Sequence, residues 1–94
     1  MIIVRNTFAA RPGKAGALVA QLKEMAVSAG LKNPRFLTDV SGDYNTVVME
    51  HEVSSLAEFE AGYESYMNDP AVKATAAGYT DHWTSGKREF FKVA

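Results

Sequence analysis

Along the first segment, apolar or β-branched residues occupy both alternating sets, Ile2, Val4 and Phe8 on one and Ile3 and Thr7 on the other. That pattern predicts a strand over residues 2–9 covered on both faces. Arg11-Pro12-Gly13-Lys14 interrupts it, and proline suits the first turn of a following helix. From Ala15 to Ala29, Leu18, Leu22, Met25, Ala26 and Ala29 recur at steps of three and four with Gln21, Lys23 and Glu24 between them, the mark of an amphipathic helix. Gly30 stands where a left-handed cap is wanted, and Asn33-Pro34 returns the chain to extension. Arg35–Val40 and Thr46–Val53 alternate as strands around the turn residues 41–45, so they predict a hairpin. In its second arm Val47, Met49, His51 and Val53 share one face, and Val48, Glu50 and Glu52 the other. Ser55 and Glu58 form a capping box for a helix whose Leu56, Phe59, Tyr63, Tyr66 and Met67 recur at three and four. Asn68-Asp69-Pro70 opens a short helix running towards Tyr79. Ser85-Gly86 is expected to turn the chain into a last strand over 87–93, with Phe90 and Phe91 facing opposite ways.

Strand, helix, strand, strand, helix, strand is the α+β order of a ferredoxin-like βαββαβ domain, a four-stranded antiparallel sheet with helices on one face. Ile3, Leu37, Val48 and one of the closing phenylalanines alternate away from the helices, and the chain has no further element to cover them. An exposed apolar face of that kind marks an interface, and a two-fold copy is the simplest cover. A homodimer packed sheet to sheet is therefore expected.

Composition narrows the function. Ninety-four residues make one domain spanning 1–94, and 47% apolar against 22% charged residues is the usage of a folded globule. Ten Lys and Arg against eleven Asp and Glu leave a net charge of −1, too balanced for a phosphate-neutralising surface, so no nucleic-acid partner is expected. The third strand also lacks the aromatics of an RNA-recognition module. With no cysteine there is no disulfide, thiolate nucleophile or zinc-thiolate site. Two isolated histidines give no metal-ligand spacing, and no nucleotide or nucleophile-elbow motif is present, so neither metal nor cofactor is expected. No long apolar run suggests a leader or membrane span, which predicts a soluble cytoplasmic protein without a membrane partner.

Pro12-Gly13-Lys14 after the first strand, the hairpin, the aromatic helix, Asn68-Asp69-Pro70 and the closing Gly86-Lys87-Arg88-Glu89-Phe90 together resemble the dimeric α/β-barrel superfamily. Within it the chain is similar to the antibiotic-biosynthesis monooxygenase and NIPSNAP-like branches. The resemblance implies a dimer whose two sheets form an eight-stranded barrel, with a small-molecule pocket between each sheet and its helices. In haem-degrading and some cofactor-independent monooxygenase relatives an Asn at a similar first-strand position contacts the ligand, which makes Asn6 a candidate. The haem-degrading branch also carries a Trp late in the second helix and a His after it. Here those places hold Ser65 or Tyr66 and then Ala76 and Ala77, which argues against haem degradation.

From the residues themselves, Asn6 lies on the helix-facing side with Val4 and Phe8 and needs a hydrogen-bond partner, inside the fold or on a ligand. His51 can act as a general base on an acidic phenol or enol, or simply be a half-buried structural histidine. Tyr66 can offer its hydroxyl to a bound carbonyl, and His82 and Trp83 can close over a pocket mouth. Phe8, Met49, Phe59, Tyr63 and Trp83 supply the apolar wall in this reading, whereas Arg5, Glu50 and Glu52 face the dimer side, where an ion pair across the barrel is expected. The expected function is a cofactor-independent, monooxygenase-like pocket protein for a compact aromatic or apolar molecule. Its rival is a non-catalytic binding or stress-associated dimer whose cavity is filled by its own aromatic side chains.

Overall fold

The structure is a computed structural model describing residues 1–94. Its elements run β1 (Ile2–Ala10), α1 (Ala15–Ala29), β2 (Lys32–Thr38), β3 (Thr46–Val53), α2 (Leu56–Met67), α3 (Pro70–Ala76), a 3-10 turn (Tyr79–His82) and β4 (Trp83–Lys92). The four strands form one antiparallel sheet in the order β2-β3-β1-β4. This is the ferredoxin-like arrangement that the order of elements implies. β1 is central, paired with β3 through Asn6–Met49 and Val4–His51 and with β4 through Asn6–Arg88 and Val4–Phe90.

The helices cover the face that bears Val4, Asn6, Phe8 and Ala10, all buried, and the main core joins Phe8 and Ala10 to Leu18, Leu22, Met25 and Val47. The three-and-four spacing of α1 places its leucines and Met25 there. Local signals position the other helices. Ser55 accepts the Glu58 backbone N–H at 3.1 Å to begin α2. The Glu58 carboxylate reaches back to the Ser54 backbone and hydroxyl, one residue earlier than in the usual box. Asp69 accepts the Ala71 N–H at 2.9 Å, with Pro70 as the first residue of α3. Gln21 of α1 donates to the carbonyls of Thr75 and Ala77 and pins the end of α3 to α1.

Several boundaries differ from the sequence expectation. Pro12 and Gly13 occupy the corner of a turn closed by Lys14 N–H to Arg11 O at 2.9 Å, with Gly13 at φ 79°, so the proline lies before the first turn of α1, whose range Ala15–Ala29 is the one its spacing predicts. β2 begins at Lys32, because Asn33 at φ 46° forms a bulge that keeps Lys32 paired with Glu52 before Arg35 pairs with Glu50. It stops at Thr38, and Asp39 closes the hairpin through its carboxylate on the Thr46 N–H. α3 ends at Ala76 rather than near Tyr79. Ser85-Gly86 is no turn: both residues lie within β4, paired with Ala9 and Phe8. Gly86 is needed there because Phe8 and Trp83 pack edge to face over it at 5.3 Å between rings. A β-carbon at Gly86 would lie 3.2 Å from the Thr7 carbonyl oxygen and 3.3 Å from the Phe8 ring.

The opposite sheet face carries Ile3, Thr7, Ala9, Leu37, Val48 and Phe91 around a charged centre. The ion pair expected across two subunits forms within one chain: Glu50 accepts from Arg5 Nε at 2.5 Å and from Arg35 Nη2 at 2.6 Å. Its side chain is only 6% exposed although no helix covers it. The Arg35 hydrogen bond, aided by Arg5 and opposed by burial, holds the Glu50 carboxyl below its ordinary value of 4.5. A depressed folded-state value means stabilisation that is present above 4.5 and lost as pH falls through the folded-state titration. Both arginines are well exposed and screened, so the loss is on the order of 1 kcal/mol. Urea midpoints at neutral and acid pH should show that Glu50→Gln removes this part of the acid dependence; an unchanged pH profile would exclude it.

Candidate functional site

Between the sheet and α2, the helix-facing side does not close. A cavity of about 530 Å³ lies there. Its floor is Asn6 from β1, Met49, His51 and Val53 from β3, and Arg88 from β4. Met25, Ala26 and Ala29 of α1 form one wall, and Phe59, Tyr63 and Tyr66 of α2 the other. Val72 and Ala76 of α3, with Tyr79, close the end. The opening exists because α1 packs against α3 and the 3-10 turn, while α2 buries no residue fully and touches the sheet through half-buried aromatic rings.

Period-two alternation places Asn6, Met49 and His51 on one sheet face, and three-and-four spacing turns Phe59, Tyr63 and Tyr66 towards them. The rings form a series: His51 stacks with Phe59 at 6.5 Å between centroids, Phe59 with Tyr63 at 5.8 Å, and Tyr63 with Tyr66 at 6.2 Å. Phe90 meets Phe59 edge to face at 5.0 Å. The buried Asn6 amide has the partner its position demands, since its Oδ1 accepts from Arg88 Nε at 2.8 Å.

The electrostatics set protonation states. Burial, and then the positive charge of Arg88, lowers the pKa of His51, so its imidazole is neutral and able to accept a proton at neutral pH. Burial, with Tyr79 and Tyr63 adding to it and Arg88 opposing, raises that of Tyr66, which therefore stays a hydroxyl donor. No group of three or more His, Asp or Glu side chains gathers to hold a metal ion.

Of the nine residues singled out in the sequence, Asn6, Met49, His51, Phe59, Tyr63 and Tyr66 line one cavity, and Phe8, His82 and Trp83 lie outside its lining. Phe8 belongs to the core under α1, where Trp83, the first residue of β4, packs on it. Trp83 Nε1 is buried without a hydrogen-bond partner. His82 ends the 3-10 turn, and its backbone carbonyl accepts the Arg11 N–H at 2.9 Å. Neither residue forms a lid in this arrangement. The residue missed in the sequence is Arg88: among Lys87 and Glu89 it reads as part of a solvated charged strand. Its alternation with Gly86 and Phe90, both turned to the helices, is the signal that could have placed it.

Solved structures share this arrangement from end to end. An uncharacterized NIPSNAP domain protein from Burkholderia xenovorans superposes with a TM-score of 0.87 at 18% identity, over 100% of this chain and 95% of that one. The chain shares the fold of that NIPSNAP domain protein. A NIPSNAP family protein from Agrobacterium tumefaciens gives 0.85 at 15% identity, over 99% of this chain and 92% of its own. A proposed antibiotic biosynthesis monooxygenase from Chloroflexus aurantiacus gives 0.76 at 19% identity, with 99% and 92% covered. No protein-family model and no curated protein matches the sequence. The ferredoxin-like fold of those structures is thus found here, at identities that carry architecture alone. No helix in it is long and apolar enough to cross a membrane.

Proposed function

We propose that the chain is a cytoplasmic homodimer whose cavity binds a compact aromatic or apolar molecule and oxidises it without cofactor. The observation that carries this reading is the cavity of about 530 Å³ at Asn6 and His51. It lies within the range of roughly 300–1,000 Å³ usual for small-molecule sites, and the aromatic side chains of α2 wall it without filling it. Pairing through the open face is supported by the uncovered Ile3, Leu37, Val48 and Phe91. The open face also carries Arg5, Lys32, Arg35 and Lys87 against Glu50, Glu52 and Glu89, so charges of the two signs nearly balance where two copies meet. The same fold in a proposed antibiotic biosynthesis monooxygenase is in keeping with the chemistry.

That chemistry asks little of the protein. The neutral His51 imidazole takes a proton from an acidic carbon or phenol, and the amide of Asn6 and the hydroxyl of Tyr66 hold the resulting anion. The carbanion adds to O₂ to give a peroxide on the same carbon. After protonation, loss of water leaves a carbonyl, so that one oxygen atom ends in product and the other in water. The aromatic wall shields the anion from part of the surrounding water and so slows its quenching.

An aerobic screen of quinols and phenols, followed by oxygen uptake, tests this reading. Turnover should fall about a hundredfold or more in His51→Ala, the scale of a lost general base, and less in Asn6→Ala. Unchanged turnover in both variants would remove these roles. Saturable binding without oxygen uptake would leave a binding module in place of an enzyme.

A further inference from the structure

The floor of the cavity holds a cation that the chain leaves without a counter-charge. Arg88 pairs with no carboxylate; the ion pairs of the chain are Arg5 and Arg35 with Glu50, and Lys87 with Glu89. The two carboxylates at the cavity rim are engaged elsewhere, Glu52 by the Asn33 side chain and Glu58 by Ser54. The guanidinium is nonetheless held in place. Its Nε donates to Asn6, and its carbon sits 5.2 Å from the Phe59 centroid and 5.1 Å from that of Tyr63. Asn6 is the one hydrogen-bond partner the chain gives it, so the terminal nitrogens of the fork are unclaimed. A planar fork fixed by aromatic rings and one hydrogen bond, with its outer N–H groups unpaired, matches a carboxylate held by two parallel hydrogen bonds.

Resting on the cavity reading above, we infer that Arg88 is an anion-recognition residue and that the occupant of this cavity is an apolar or aromatic molecule carrying a carboxylate. The carboxylate lies against the Arg88 fork beside Asn6, and the apolar body extends along Met49, Phe59 and Tyr66. Lys32 and Lys73 at the rim add positive charge along the way in.

Matched acids and primary amides, benzoate with benzamide and 1-naphthoate with 1-naphthamide, test this by calorimetric titration of the full chain at neutral pH. The acids should bind at least about tenfold more tightly than their amides, the scale of a charge-assisted pair of hydrogen bonds. In Arg88→Gln this preference should vanish while the amides bind as before, which also shows that the variant is folded. Arg88→Lys, which keeps the charge and loses the fork, should retain only part of the preference. Equal binding of acid and amide by the unaltered protein, or a preference that survives Arg88→Gln, would overturn the inference and leave the cavity reading standing. Failure of all four probes to bind would overturn both.

Discussion

Replacing Leu22 with alanine should destabilise the protein by about 3–4 kcal/mol, the middle of the range for buried leucine truncations that leave a cavity. Leu22 is 1% exposed and belongs to the cluster formed with Phe8, Leu18, Met25 and Val47, where α1 meets β1 and β3. Little can relax into the vacated space. Leu18 and Val47 are wholly buried, and the sheet beneath is fixed on both sides of β1. For a chain of this length the loss corresponds to roughly 12–30 °C in Tm. Val27→Ala on the same helix, where Val27 is 83% exposed, should stay within about 0.5 kcal/mol. Chemical denaturation followed by circular dichroism would separate the two, and a Leu22→Ala loss no larger than that of Val27→Ala would remove this cluster as the main source of stability.

The second large effect concerns assembly. Val48 sits in the middle of the open face, beside Thr7 of β1 and Leu37 of β2. In an isolated chain an aspartate there would meet water and cost little. In a pair joined through this face, two carboxylates would be buried near the axis without partners, at several kcal/mol each. The dissociation constant should then rise about a hundredfold or more. At micromolar concentration the unaltered protein should scatter light as roughly twice the 10.2 kDa chain, and Val48→Asp as a single chain that keeps its helical spectrum. Val27→Asp, on the helix side, should leave the mass unchanged. A single-chain mass for the unaltered protein, or a paired Val48→Asp, would refute assembly through this face.

Much of this architecture could be read from periodicity. The central strand, the amphipathic α1 and the caps at Ser55 and Asp69 are local in origin, and each lies where spacing and side-chain chemistry put it. Failures occur where tertiary contacts overrule local composition. Ser85-Gly86 has the composition of a turn, yet the Phe8 and Trp83 rings take the space a side chain would need, so the glycine continues a strand. Asn33 before Pro34 signals extension, but a positive φ makes a bulge and adds Lys32 to β2. At the site, alternation on β1 and β3 and helical spacing on α2 bring Asn6, Met49, His51, Phe59, Tyr63 and Tyr66 together. Alternation also puts Phe8 on the correct face, but cannot tell that α1 covers it. His82 and Trp83 depended on the path of the segment after α3, which no periodic pattern describes. Arg88 stayed hidden for the opposite reason: its neighbours are charged, and its alternation with Gly86 and Phe90 points to a face that the pairing of β4 with β1 then fixes.

The helix that roofs the cavity contributes no buried residue to the main core, whereas β1 and β3, which carry most of the floor, hold buried residues along their length. The shape of the chamber and the stability of the fold thereby depend on different parts of the chain. Substitutions along α2 can enlarge, narrow or reshape the chamber while α1 and the sheet go on specifying the architecture, so descendants of this sequence can remodel that space long before they endanger the scaffold.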